Sequence, residues 1–119
     1  MGYGEMLRTK RLEKDFTLRE LAARTDIDVA YLSRVERETC APPQKQELLD
    51  AIHEAIGLTK ADSRTMCDQA ALDNSAIPGD IAAKFKRSEG IPMLLRTVAN
   101  KKLSAEQIRK LTEFINEQY

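Results

Sequence analysis

The amino-acid sequence predicts an all-α protein, and three observations lead to this fold class. Apolar residues recur three and four positions apart along most of the chain, which is the period of an amphipathic helix. No stretch alternates apolar and polar residues in the way that a half-buried strand does. Helix-capping residues precede the helical segments, and turn-forming residues separate them. We therefore expect a small unit of short helices joined by polar turns.

Composition restricts the protein to one modest core and a few classes of function. The 119 residues are 42% hydrophobic and 32% charged, which suits one small core with an appendage. No apolar run approaches the ~18 residues of a membrane span, and the N-terminus lacks the layout of a signal peptide. We therefore expect a cytoplasmic protein without a membrane partner. Cys40 and Cys67 lack the spacing of metal ligands, so we expect reduced thiols and no bound metal.

The segment 17–37 contains the first two helical patterns of interest, joined by a polar turn. Thr17 and Glu20 have the spacing of a capping box, and Phe16 and Leu21 have that of a hydrophobic staple. These signals predict that a helix begins directly after Thr17. Apolar residues within it repeat at helical spacing, so one face of this helix is expected to pack on a core.

A second helix follows the turn at Asp26, a residue type that tolerates a positive φ more readily than most. Asp28 is expected to cap this helix, whose inward residues are Leu32 and Val35. The outward residues are small or basic, which suits a helix that enters the major groove of DNA. They are Val29, Ala30, Ser33, Arg34 and Arg37. The two helices together have the pattern of a helix-turn-helix.

This segment resembles the Cro/cI-type (XRE) family of helix-turn-helix transcriptional regulators. The resemblance begins with LRTKRLEKDFT at 7–17 and continues through APPQKQELLDAI at 41–52. It implies a five-helix, lambda-repressor-like DNA-binding domain followed by a short helical C-terminal extension. Leu18 stands where the family usually has a glutamine, which removes one expected DNA contact. Asp15 and Asp26 stand where the family has glycines, and they suit a left-handed turn less well.

The expected DNA contacts divide into base-reading residues and phosphate contacts. Base reading is expected from Asp28, Val29, Ala30, Ser33 and Arg34. Phosphate contacts are expected from Arg8, Lys10, Arg19, Tyr31, Arg37 and the backbone at Leu18. Tyr31 has two interpretations, a stack on DNA sugar or a cover for the edge of the core. In the family, an arginine of the first helix pairs with a glutamate that ends the recognition helix, and Arg11 and Glu36 occupy those positions.

Charge is the feature that argues against a DNA-binding function. The chain carries 19 basic and 19 acidic residues, whereas nucleic-acid-binding proteins are often clearly basic. The positions of the basic residues matter more than their sum, because five of them can form a local stripe. These five are Arg8, Lys10, Arg19, Arg34 and Arg37. We expect a modest affinity for DNA that depends steeply on salt.

Helical patterns continue to the end of the chain. A fourth helix is expected over 44–56 and a fifth from 60 to about 73, before a stretch dense in turn formers at 74–79. That stretch predicts a boundary between a helix-turn-helix DNA-binding domain of residues 1–73 and a helical C-terminal region of residues 74–119.

The C-terminal region is expected to contain three helices and more apolar residues than a five-helix domain needs. Asp80 can cap a helix over 81–87, Pro92 can open one, and Ser104 with Gln107 forms a capping box for the last. The spare apolar residues predict a homodimer contact or a surface for a partner protein. They include Leu94, Leu95, Val98, Ile108, Leu111, Phe114 and Ile115.

The sequence contains no constellation typical of an enzyme. The single histidine, His53, lies on a helix beside Leu49 and Ile52 and is expected to be structural. No nucleophile has an activating neighbour, and no cofactor-binding motif is present, so we expect neither catalysis nor a cofactor.

Two function hypotheses remain. The first is a sequence-specific transcriptional repressor that binds a palindromic operator in double-stranded DNA as a homodimer. The second is an antitoxin or helical interaction module that restrains a toxin or peptidase partner. Operator-like inverted repeats upstream of the gene would favour the first, and a neighbouring toxin or metallopeptidase gene would favour the second.

Overall fold

A computed structural model describes residues 1–85 and 89–119, and it confirms the all-α prediction. The first five helices are α1 Tyr3–Glu13, α2 Leu18–Thr25, α3 Val29–Glu36, α4 Gln46–Ile56 and α5 Lys60–Asp73. Three more follow: α6 Gly79–Lys84, α7 Gly90–Lys101 and α8 Ala105–Gln118. None of these helices is both long enough and apolar enough to cross a membrane within the described ranges.

Residues 1–84 form one compact unit in which α1 to α5 surround a shared core. Helix α3 packs against α1 and α2, α4 packs against α2 and α5, and α5 packs against α1. Burial of apolar side chains is the main favourable contribution to the stability of such a unit. The core contains Tyr3, Leu7, Leu21, Leu32, Val35, Leu49, Ile52, Ile56, Met66, Cys67 and Ala70.

Local residues explain where α2 and α5 begin and where α4 ends. The hydroxyl oxygens of Thr17 and Thr59 each accept a 3.1 Å hydrogen bond from the backbone N–H three residues later, and the first of these caps is the one predicted from the sequence. The carboxylate of Glu20, however, accepts from the Thr17 hydroxyl and not from the Thr17 backbone, so the predicted capping box is half formed. Gly57 ends α4 with a φ of 79°, in the left-handed region that glycine adopts without strain.

Two predicted helix starts in the C-terminal region are wrong. Helix α7 begins at Gly90, so Pro92 is its third residue and not its first. A proline is tolerated there because the N–H groups of the first helical turn have no intrahelical partners. Asp80 lies inside α6, which begins at Gly79, and does not cap it. The predicted end of that helix at Arg87 lies outside the described residues.

A buried histidine connects three helices of the first unit. His53 on α4 is 2% exposed, and its Nε2 atom is hydrogen-bonded to the Tyr3 hydroxyl of α1 at 3.0 Å. Its Nδ1 atom is hydrogen-bonded to the Ser63 hydroxyl of α5 at 2.8 Å. Burial lowers the pKa of His53 to about 4, so the imidazole is neutral near pH 7. These contacts give His53 a structural role in the core.

Helix α6 belongs to the first unit, which extends to Lys84, whereas the sequence predicts a boundary after Asp73. The side-chain amide of Asn74 donates a 3.1 Å hydrogen bond to the carbonyl oxygen of Pro42. A Cβ atom added at Gly79 would lie 3.1 Å from the side chain of Gln46, which shows how closely α6 approaches α4. Turn composition marks the exit from α5 but does not show these later contacts.

Residues 85–119 form a second compact unit that contains α7 and α8. Lys102 in the short turn between them has a φ of 48°. Ser104 and Gln107 form both hydrogen bonds of the predicted capping box at the start of α8. No side chain of α7 or α8 is buried, so the apolar residues of both helices keep much of their surface exposed.

Candidate nucleic-acid interface

A three-residue turn joins α2 to α3. One face of α3 packs on the core and the other points away from it. Asp26 adopts the left-handed conformation in this turn, with a φ of 57°, although it is not a glycine. This conformation is the one expected for Asp26. Leu32 and Val35 of α3 are 0% and 1% exposed, so the inward stripe of the helix is completely buried.

The outward face of α3 carries the residues that the sequence assigns to base reading. Residues three and four positions apart on a helix are neighbours, so these side chains share one surface. Asp28, Val29, Ala30 and Arg34 are exposed, and Ser33 is half-buried. Asp28 also caps α3, because its Oδ1 atom accepts a 3.2 Å hydrogen bond from the N–H of Ala30.

A buried ion pair attaches the end of α3 to α1. The Nε and Nη2 atoms of Arg11 lie 2.7 and 2.9 Å from the two carboxylate oxygens of Glu36. Arg11 is 8% exposed and Glu36 is 7% exposed. The Nη1 atom of Arg11 donates a 2.7 Å hydrogen bond to the carbonyl oxygen of Phe16, directly before the cap of α2. The hydrogen bond with Glu36 raises the pKa of Arg11 above its ordinary value. One guanidinium group thus connects α1, α3 and the loop that enters α2.

The basic residues assigned to phosphate contacts have different environments. Arg8, Arg19 and Arg37 are exposed. Lys10 is different, because its Nζ atom lies 3.4 Å from a carboxylate oxygen of Asp62 and 3.6 Å from one of Glu13. Asp62 is close only because α5 packs against α1, a contact that the local sequence does not show. Both carboxylates compete with a phosphate for the Lys10 ammonium group.

Leu18 and Tyr31 pack against the core of the first unit. Leu18 can therefore meet a phosphate through its backbone N–H, as the sequence analysis proposes. The N–H of Glu20 is bonded to Thr17, so Leu18 and Arg19 supply the N–H groups available in the first turn of α2. Tyr31 is half-buried, and burial raises its pKa. This environment favours the interpretation that Tyr31 covers the core edge.

Arg24, on the last turn of α2, is a further basic residue at this surface that the sequence pattern does not indicate. Its guanidinium carbon lies 4.4 Å from the centroid of the Phe16 ring, which is the geometry of a cation–π contact. The two residues are eight positions apart across the start of a helix, so the rule for helical neighbours does not predict the contact. Arg24 is exposed and adds positive charge to the outer end of α2.

The described residues offer no arrangement for metal chemistry. No group of three His, Cys, Asp or Glu side chains within the described ranges is placed to hold a metal ion. Cys40 is half-buried and Cys67 is buried, and both are free thiols. Burial raises the pKa of Cys67, which keeps that thiol protonated and unreactive near pH 7.

Comparison with known proteins identifies the part of the chain that contains this interface. A family model described as "Helix-turn-helix" matches residues 7–62. No curated protein and no solved structure matches the chain. The matched range contains α2, the turn, α3 and both members of the buried ion pair, and it ends in the first turn of α5.

Proposed function

Residues 7–62 belong to the helix-turn-helix family of DNA-binding regulators, of the Cro/cI (XRE) type, and on this premise we propose that the protein is a sequence-specific repressor. It binds a palindromic operator in double-stranded DNA as a homodimer. The main observation in support of the proposal is the outward face of α3. Small and basic side chains are exposed there, on a helix whose other face is buried. The Arg11–Glu36 pair holds this helix in place.

In a helix-turn-helix protein, the first residues of the second helix meet the base edges in the major groove. Val29 and Ala30 suit contact with thymine methyl groups, and Arg34 can form a bidentate pair with guanine. Ser33 can donate or accept a hydrogen bond at the same surface. The specificity of the protein is therefore assigned to the outward face of α3.

Phosphate contacts position α3 in the groove. We assign them to the exposed side chains of Arg8, Arg19 and Arg37 and to the backbone N–H groups of Leu18 and Arg19. We do not assign a phosphate contact to Lys10, because it already forms ion pairs with Glu13 and Asp62. Three arginines in each of two protomers predict a slope of log K against log salt on the order of −5.

Dimerisation is assigned to the second unit. One recognition helix reads too few base pairs to select a single operator, and two-fold pairing of identical chains solves this. The apolar side chains of α7 and α8 are available for such a contact, since most of them are at least a third exposed. They are Leu94, Leu95, Val98, Ile108, Leu111, Phe114 and Ile115.

Selection of bound duplexes from a random DNA library, followed by gel shifts with the full-length protein, tests the proposal. We expect a selected site with inverted half-sites and a complex that survives excess non-specific competitor. Selection of no common sequence, or equal competition by any duplex, would contradict sequence-specific binding. The role on DNA implies the cytoplasmic location expected from the sequence, and no catalytic activity is assigned.

A second candidate function is restraint of a partner protein, as in an antitoxin. Two observations favour it: the net charge of zero and the exposed apolar residues of α7 and α8. The partner would be a toxin or peptidase that covers those residues. Light scattering separates the two candidates, because a homodimer covers this surface without a partner, whereas a partner-binding chain is monomeric alone.

A further inference from the structure

We propose that Asp28 determines specificity by selecting a cytosine in each operator half-site. The inference rests on the proposed function and goes further by naming the base that one side chain reads. Asp28 precedes the first residue of α3 and is exposed, so it lies at the end of the helix that meets the base edges.

The geometry divides the two oxygens of this carboxylate between two tasks. Oδ1 accepts the 3.2 Å hydrogen bond from the N–H of Ala30, which restricts the orientation of the side chain. Among the described residues Oδ2 accepts no hydrogen bond, so it can accept one from outside the protein. Within the described ranges, no lysine or arginine forms an ion pair with Asp28. The neighbouring Val29 and Ala30 have short side chains, so a base edge can approach this end of the helix closely.

The chemistry of the major groove selects the partner of such a carboxylate. An ionised aspartate accepts hydrogen bonds but cannot donate one. Guanine presents two acceptors in the major groove and thymine presents O4, so both repel a carboxylate. Adenine presents an amino donor directly beside its N7 acceptor. Cytosine presents the N4 amino group, the donor that aspartate and glutamate recognise. A carboxylate in this place therefore favours cytosine and opposes the other bases.

Two substitutions with the same change in charge test the inference. Asp28→Asn keeps a good N-cap residue and removes the negative charge beside the bases. Asp26→Asn removes the same charge two residues earlier, at a left-handed position that asparagine also tolerates. Each full-length variant is put through the random-library selection and then titrated by fluorescence anisotropy. The duplexes are the wild-type site and its single-base variants.

For the wild type, we expect one half-site position at which cytosine is favoured by roughly five- to tenfold over each other base. Asp28→Asn should lose this preference or move it to adenine, because asparagine pairs with the N6 and N7 atoms of adenine. Asp26→Asn should tighten binding to all duplexes about equally and leave the cytosine preference unchanged, since it only reduces repulsion by phosphates.

The inference is overturned if Asp28→Asn keeps every base preference of the wild type, or if Asp26→Asn changes the same position to the same extent. Absence of any sequence preference in the wild type would instead contradict the proposed function. Asp28→Ser, which also caps helices well, repeats the test should the asparagine variant unfold. The serine variant should likewise lose the preference for cytosine, and retention of it would overturn the inference.

Discussion

At the scale of single residues, the guanidinium of Arg11 and the imidazole of His53 are buried polar groups that each connect several elements of the first unit. Arg11 donates to Glu36 and to the backbone of Phe16, and so connects α3 to the entrance of α2. His53 is hydrogen-bonded through both ring nitrogens to other helices. Loss of a partner would leave a buried polar group unsatisfied, which costs more than the bond itself contributes.

Glu36→Ala should lower the free energy of unfolding by roughly 3–5 kcal/mol, because it leaves the buried Arg11 without its carboxylate. Urea unfolding followed by circular dichroism measures the change. Glu13→Ala is the matched control, since it removes an exposed partner of Lys10 and should cost at most about 1 kcal/mol. If the two variants were equally stable, the buried Arg11–Glu36 pair would contribute no more to the free energy of unfolding than an exposed pair does.

Stability should fall between pH 7 and pH 5 because of His53. Its pKa is about 4 in the folded chain and near 6.5 when exposed, so the unfolded chain binds the proton more tightly. The stabilisation is complete above pH 6.5 and decreases as the pH falls towards 4. Urea unfolding should show a loss of about 2 kcal/mol from pH 7 to pH 5. His53→Gln serves as the non-titrating reference, and an equally large loss in it would exclude His53 as the cause.

Arg34→Ala distinguishes base reading from phosphate contact on the outward face of α3. If Arg34 pairs with a guanine, the variant should lose ~1–3 kcal/mol of binding free energy and relax one position of the site. Anisotropy titrations on the selected duplex and its single-base variants measure both effects. Arg37→Ala is the comparison, because a phosphate contact weakens all duplexes alike. Uniform weakening by Arg34→Ala would reassign that residue to phosphate.

At the scale of helices, the position of α3 depends on how closely α1 approaches it. Gly4 of α1 is buried, and a Cβ atom at this position would overlap the carbonyl oxygen of Val35 and lie 3.0 Å from that of Glu36. Both of these are backbone atoms of α3, so no side-chain rotation can relieve the overlap. Glycine is therefore required at this crossing for steric reasons and not for an unusual φ.

Gly4→Ala should lower the free energy of unfolding by about 1–3 kcal/mol, the usual cost of overpacking a core. The same variant should weaken operator binding, since relief of the overlap must shift α1 or α3. Thermal unfolding and gel shifts measure the two effects. Gly90→Ala is the control, because among the described residues no atom beyond its chain neighbours and its own helix backbone lies within 4 Å of an added Cβ there. A Gly4→Ala protein as stable as the Gly90→Ala protein would contradict a tight helix crossing.

At the scale of the whole molecule, the described residues divide into a unit with a core and a unit without buried side chains. The first extends to Lys84 and contains all the core residues. The second consists of two helices whose apolar residues remain exposed. Isolated short helices are marginal in water, so α7 and α8 gain stability when another surface covers them. The proposed homodimer supplies that surface.

Light scattering on the full-length protein should give twice the 13.4 kDa mass of one chain. Leu111→Glu or Phe114→Glu should shift the protein to monomer and weaken operator binding, because each places a charge in the proposed contact. Leu72→Glu is the matched control, since Leu72 is 71% exposed on the first unit and lies outside that contact. A monomeric wild type, or dimers unaffected by both α8 variants, would reject dimerisation through this unit.

Local patterns in the sequence are enough to predict the fold class, the helix-turn-helix and the outward face of α3. Helical periodicity and capping are local properties, since each depends on residues within four positions of one another. For this reason the caps at Thr17, Asp28 and Ser104 and the inward positions of Leu32 and Val35 could be predicted. The pairing of Arg11 with Glu36 required the family resemblance, because 25 residues separate them.

Which distant groups meet depends on how the helices pack against one another. The sequence predicts a phosphate contact for Lys10, but the packing of α5 on α1 brings Asp62 to it. The local sequence does not show that Gly4 must be a glycine, because this need arises from the packing of α3 against α1. The hydrogen bond between Tyr3 and His53 likewise joins residues 50 positions apart. The extension of the first unit to Lys84 likewise depends on the close approach of Gly79 in α6 to Gln46 in α4. Such contacts arise from the global arrangement of helices, and local patterns carry no information about them because the core can be built from many pairings of similar apolar faces.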